Sequence, residues 1–194
     1  MLPPRAILFD LDGTITKPFL DFAQIRREMG VSSFGILEAL ADFPPDRRHE
    51  AERVLLQHER LAAEHSQLNP GCRELLGLID GRLPRALITR NSRQSAQRVC
   101  ELHALRFDLL VSREFGHFKP SPQPILHACT ALGVAPADAW MVGDGRFDIE
   151  AGLAAGAKTI WVSLGHAKSF PADPWQTVRD LTELTQLLKD CLAS

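Results

Sequence analysis

The chain lacks any CxxC pair or Cys/His cluster: its 4 cysteines, Cys72, Cys100, Cys129 and Cys191, stand far apart. That spacing argues against a disulfide framework and a zinc site, and for buried free thiols in a reducing compartment. A marked excess of either charge is missing too. With 22 basic and 24 acidic residues the net charge is −2, so no polybasic face for nucleic acid is expected. Arginine pairs such as Arg26-Arg27 and Arg47-Arg48 read as solvated helix charge. No hydrophobic run approaches a membrane span. Met1-Leu2-Pro3-Pro4-Arg5 has neither the basic region nor the long apolar stretch of a secretory signal. There is no internal repeat or low-complexity tract. The expectation is a cytoplasmic protein without a nucleic-acid or membrane partner. What is present, 194 residues with 45% hydrophobic and 24% charged, is an ordinary globular composition of one or two domains.

After residue 70 the chain alternates short apolar runs with helical patterns. Ala86–Thr89, Leu109–Ser112, Ala139–Gly143 and Thr159–Val162 read as buried strands, and Ser92–Leu105, Pro122–Leu132 and Asp148–Ala155 as helices. With a first strand at Ile7–Asp10, this predicts a parallel sheet of at least five strands with helices on both faces, a three-layer, Rossmann-like α/β core. A terminal helix is expected over about Thr177–Leu192. Residues 17–69 break the alternation. Ala51, Val54, Leu55, His58, Leu61, Ala62 and His65 keep helical spacing; Phe22, Ile25, Arg26 and Met29 mark a shorter helix, and Phe34–Leu40 another. This predicts a small all-helical insertion, with Asn69-Pro70-Gly71 leading back. The expected organisation is a discontinuous core, residues 1–16 and 70–194, and a helical unit, residues 17–69.

The polar residues that follow the strands carry the chemistry. Ala6-Ile7-Leu8-Phe9 delivers Asp10-Leu11-Asp12-Gly13-Thr14, and residues two apart on extended backbone point the same way. Two carboxylates that close repel unless a cation or a shared proton relieves them. The segment therefore asks for a divalent metal, acid–base chemistry, or both. The second strand ends in Thr89-Arg90-Asn91-Ser92 at a helix start, where free N–H groups hold anions. Phe118-Lys119-Pro120 follows the third strand, its loop stiffened by Pro120 and Pro122. The fourth ends in Gly143-Asp144-Gly145-Arg146-Phe147-Asp148. Ligands of parallel α/β sheets bind beyond the carboxyl ends of the strands, so these four segments point to one site.

In these segments the sequence resembles the haloacid dehalogenase superfamily of phosphotransferases, in the branch with a helical cap inserted after the first strand. Asp10-x-Asp12-Gly13-Thr14, Thr89, Lys119 and Gly143-Asp144-x-x-x-Asp148 match its four motifs. Lys119-Pro120-x-Pro122 is similar to the habit of phosphoglycolate phosphatase and related sugar-phosphate phosphatases. The resemblance implies that Asp10 is the nucleophile and Asp12 the general acid and base. It implies a Mg²⁺ ion held by Asp10, the Asp12 carbonyl and Asp144, with Asp148 binding a metal water or orienting Lys119; as a plain structural residue, Asp148 reads as the N-cap of its helix. Gly13, Thr14, Thr89, Arg90, Asn91 and Lys119 are implied for the phosphoryl group, Arg90 and Arg146 standing at the rim rather than in the chemistry. Gly13 and Gly145 are expected to let backbone approach the ligand. His58, His65, His117, His127, Trp140 and Trp161 read as structural.

The implied activity is Mg²⁺-dependent hydrolysis of a small phosphorylated metabolite, of phosphoglycolate or sugar-phosphate type, through an aspartyl-phosphate. The alternatives are a phosphomutase of the β-phosphoglucomutase type and a catalytically idle regulator; the sequence does not choose between monomer and homodimer. The second aspartate, Asp12, favours phosphoryl transfer over carbon–halogen cleavage. Lys17, Arg26, Arg27, Arg47 and Arg48 are the candidate cap contacts to an acidic substrate.

Overall fold

The computed structural model describes residues 2–33 and 35–193. Its centre is a six-stranded parallel sheet: β1 (Ala6–Phe9), β2 (Arg85–Ile88), β3 (Leu109–Val111), β4 (Ala139–Gly143), β5 (Lys158–Val162) and β6 (Gln176–Val178), in the spatial order β3-β2-β1-β4-β5-β6. β1 pairs with both β2 and β4, Leu8 lying opposite Ala86 on one side and Met141 on the other. Side chains alternate across it. Ile7 and Phe9 face one apolar cluster and Leu8 the other, which is why these strands read as continuous apolar runs.

On the Ile7 face lie α4 (Cys72–Ile79), α5 (Arg93–His103) and α8 (Leu181–Leu192). On the Leu8 face lie α6 (Gln123–Ala131) and α7 (Arg146–Ala155). Between β1 and α4 come α1 (Phe22–Met29), α2 (Ile36–Ala41) and α3 (Pro45–Glu64), with an apolar cluster of their own around Ile25, Met29, Leu37, Leu40 and Leu55. The helix ends follow capping rules. The Asp21 side chain accepts from the Gln24 N–H at 2.9 Å to start α1, and Pro45 opens α3, where its missing N–H costs nothing. The 4 cysteines are free thiols, and no helix among the described residues is long and apolar enough to cross a membrane.

Three expectations change. Residues 176–178 are strand, not helix: they pair with β5, and the Asp180 carboxylate starts α8 by accepting from the Thr182 and Glu183 N–H groups. A three-residue strand with one buried side chain, Val178, is too short to show alternation. Second, α4 was not anticipated, although Cys72, Leu75, Leu76 and Ile79 are its buried stripe. Third, α7 begins at Arg146, so Asp148 is its third residue rather than its N-cap. The helix expected from Phe34 begins at Ile36; Phe34 itself lies outside the described residues.

Candidate active site

The sheet order reverses at β1: its neighbours β2 and β4 lead to opposite edges. The segments leaving these central strands share a crevice at their carboxyl ends, the usual ligand position in such sheets. A cavity of about 510 Å³ there is lined by Asp10, Asp12, Thr89, Asn91, Lys119, Asp144 and Asp148 among others.

The loop after β1 is tightly held. The Asp10 N–H donates to the Val142 carbonyl at 2.9 Å, carrying sheet pairing one residue past the strand, and the Gly13 N–H donates to Thr16 O at 2.8 Å. Gly13 has φ +85°, and a Cβ there would lie 2.1 Å from Asp144 Oδ2. Only glycine lets the two carboxylate loops come so close. At the other glycine turn Gly143 is the required one, since its Cβ would meet the Asp148 Cβ at 2.2 Å. A Cβ at Gly145 would meet its nearest protein atom, Asp148 Oδ2, at 3.5 Å.

Lys119 is the centre of the site. Its side chain is buried, and Nζ donates to Asp10 Oδ1 at 2.5 Å, Asp148 Oδ1 at 2.6 Å and the Ile88 carbonyl at 2.7 Å. Three acceptors satisfy its three protons. Burial works against the ammonium, but the charges of Asp10 and Asp148 outweigh it, and the Lys119 pKa ends above its ordinary value. Asp148 also accepts from the Gly145 N–H through Oδ2 at 3.1 Å. One carboxylate thus both braces the first turn of α7 from its third position and holds Lys119.

The remaining carboxyl groups are pushed up. Burial, with further contributions from Asp148, Asp144 and Asp12, raises Asp10 well above the usual carboxylate range, against the pull of Lys119. Burial raises Asp12 to about 6 although the Asn91 amide donates to its Oδ2 at 2.6 Å. Asp144 rises to about 7, from burial and then repulsion by Asp148. Its backbone carbonyl is fixed by the Trp161 indole N–H at 2.8 Å. Carboxyls that resist ionisation alone are what a cation would relieve. Asp10, Asp144 and Asp148 each offer an oxygen, all within 4.8 Å of one another. This all-oxygen set suits a hard divalent ion. The Asp12 carboxylate lies outside that trio, leaving its backbone carbonyl as the donor the sequence named.

The other residues expected at the phosphoryl group divide: Thr89, Arg90 and Asn91 line the cavity, while Gly13 and Thr14 do not. Arg90 is already engaged within the protein: it donates to both Glu38 carboxylate oxygens at 3.0 and 2.8 Å and to the Lys119 carbonyl, and packs over the rings of Phe118 and Phe147. Thr14 is buried with an unpartnered hydroxyl, and neither it nor Gly13 lines the cavity. The Thr89 hydroxyl accepts from the Asn91 N–H at 3.1 Å. Of the five candidate cap cations only Arg26 lines the cavity. Lys17 donates to Gln67, while Arg47 and Arg48 donate to the carbonyls of Gly30 and Ala41. None of the four structural histidines lines it; His58, for instance, pairs with Glu28 at 2.6 Å.

Two residues at the site escaped sequence reading. Glu59 of α3, 2% exposed, lines the cavity, accepts from the Ser92 N–H at 3.1 Å and pairs with Arg113. Its signal was an acid on the apolar stripe Leu55–Ala62. Asn69 donates its side-chain amide to the carbonyls of Gly13, Thr14 and Thr16 at 2.9, 2.8 and 3.0 Å. It pins the loop after β1 from the point where the helical segment rejoins. Asn69→Ala is expected to lower unfolding free energy by roughly 1–3 kcal/mol, the cost of leaving buried carbonyls unpaired; urea denaturation checks this, and an unchanged midpoint would refute it.

The profile of haloacid dehalogenase-like hydrolases matches residues 21–156. A haloacid dehalogenase-like hydrolase domain-containing protein of Arabidopsis thaliana is 34% identical over 80% of this chain and 69% of its own. The phosphoglycolate phosphatase of Chromobacterium violaceum is 33% identical over 96% and 97%. Among solved structures, a subfamily IA hydrolase of that superfamily from Geobacter sulfurreducens superposes with a TM-score of 0.69 at 25% identity, covering 95% of this chain and 96% of its own.

Proposed function

The chain belongs to the haloacid dehalogenase-like hydrolase family, and on that premise we propose that it is a divalent-metal-dependent phosphatase of small phosphorylated metabolites, working through an aspartyl-phosphate. The observation that carries this reading is the ammonium of Lys119 held between Asp10 and Asp148, with Asp144 in reach of the same point. The phosphatase-named relatives support it.

A phosphate monoester dianion repels nucleophiles, so catalysis rests on neutralising charge and on positioning. Asp10 attacks phosphorus through a carboxylate oxygen; the P–O bond to the alcohol breaks and its electron pair leaves on the alcohol oxygen. Asp12, whose pKa of about 6 suits proton exchange near neutrality, protonates that oxygen and then takes a proton from the water that opens the aspartyl-phosphate. Lys119 favours the ionised form of Asp10 against its burial and draws charge from the phosphoryl oxygens. Mg²⁺ on Asp10, Asp144, Asp148 and the Asp12 carbonyl would supply the rest of the neutralisation. Residues 17–69 serve as the cap that keeps bulk water from the site, the core being residues 1–16 and 70–194. Glu38, Glu59 and Glu64 fasten it to Arg90, Arg113 and Arg98.

A phosphate-release screen over phosphorylated metabolites tests this. Release is expected with Mg²⁺, is expected to fall to the blank with a chelator, and is expected to return on adding the ion back. Turnover indifferent to chelation, or no turnover of any ester, would sink the reading.

A further inference from the structure

The phosphate end of the cavity is charged, whereas the wall facing it is mainly apolar. Phe19, Leu20, Phe22, Ile36, Leu37 and Leu55, all from the helical segment and its entry, line the same 510 Å³ space as Asp10 and Lys119. Phe19 and Phe22 are 52% and 51% exposed, large apolar side chains left open to solvent at its edge. The four basic side chains of the wall are each committed within the protein. Lys119 is held by Asp10 and Asp148, Arg90 by Glu38, and Arg146 by Glu150 at 2.6 Å. Arg26 lies in the field of Asp21 and is engaged within the protein. The acidic side chain α3 brings to the wall, Glu59, is already paired with Arg113.

A carboxylate on the alcohol half of a substrate needs a cation or a cluster of donors when it leaves water. Nothing in this wall offers one without breaking an existing pair. An apolar group, by contrast, would cover the open faces of Phe19 and Phe22 and shed its own hydration. The volume is in the range of sites that enclose a small organic ligand.

Accepting the phosphatase reading, we propose that the physiological substrate is a phosphate monoester whose alcohol ends in an apolar or aromatic group and carries no carboxylate. Phe22 and Phe19 set this specificity. Phosphoglycolate, named for several relatives, is on this argument a poor substrate of the present chain.

The test compares benzyl phosphate, glycerol 3-phosphate and phosphoglycolate with Mg²⁺, each an ester of a primary alcohol. The kcat/KM for benzyl phosphate is expected to exceed the other two by roughly 10-fold or more, a modest figure for an apolar group in an apolar pocket. Phe22→Ala and Phe19→Ala, at half-exposed positions where folding is not at stake, should each shrink that ratio several-fold, mainly through KM. Phosphoglycolate turned over best, or a ratio untouched by both variants, would overturn the specificity and leave the phosphatase reading standing. No release from any of the three would overturn both.

Discussion

Asp10→Asn is expected to abolish phosphate release, with kcat lower by a factor on the order of 10⁴ or more, as removal of a covalent nucleophile does elsewhere. The side chains are nearly isosteric, but a neutral amide oxygen cannot carry the charge that attacks phosphorus. Lys119 keeps its bonds to Asp148 and the Ile88 carbonyl in the variant, so the loops should stay in place. The matching positive result is a phosphoryl group on the peptide that contains Asp10, seen by mass spectrometry after rapid quenching in acid. A variant retaining more than about 1% of wild-type turnover, two decades above the expected loss, would remove Asp10 from the role.

Lys119→Met should fail in two measurable ways. Two buried carboxylates lose their shared ammonium, and removing one partner of such a pair costs about 3–5 kcal/mol. The size of that loss should depend on pH. Asp10 already has a pKa raised by burial, with Lys119 pulling it down; without Lys119 it rises further. A group with a raised folded-state pKa binds its proton more tightly folded than unfolded, so its ionisation costs stability as pH rises. The gap in Tm between wild type and Lys119→Met, measured without added metal, should therefore widen from pH 5 to pH 8. A constant gap would mean that Lys119 acts by packing alone. Activity should fall too, since neither Asp10 nor the phosphoryl oxygens keep their fixed counter-charge.

Much of the fold could be read before any coordinates, because its central strands are buried on both faces. Ala6–Phe9 and Ala139–Gly143 show as apolar runs ending in carboxylates and glycine. The edge is where reading failed: Gln176–Val178 has only β5 to pair with and one buried side chain. The chemistry-bearing residues were legible in proportion to how local their signal was. Asp10, Asp12, Asp144 and Asp148 announce themselves by spacing within a turn. Arg90 does not. Its partner Glu38 stands 52 residues earlier, and nothing nearby in sequence tells whether its guanidinium faces the phosphate or the helical segment. Asn69 is similar, since it serves carbonyls 53 to 56 residues before it and looked only like part of a return turn. Glu59 could have been found, as a lone acid on a helix's buried face.

Glu38, Glu59 and Glu64 all precede β2, and Arg90, Arg98 and Arg113 all follow it. Anyone grafting another protein's helical segment between β1 and β2 of this scaffold inherits that division. A graft that did not bring acids at the three positions would take these partners from three arginines, and Arg113, the least exposed of them, would register it first. Exchanging the helical segment therefore means transplanting those glutamates along with it.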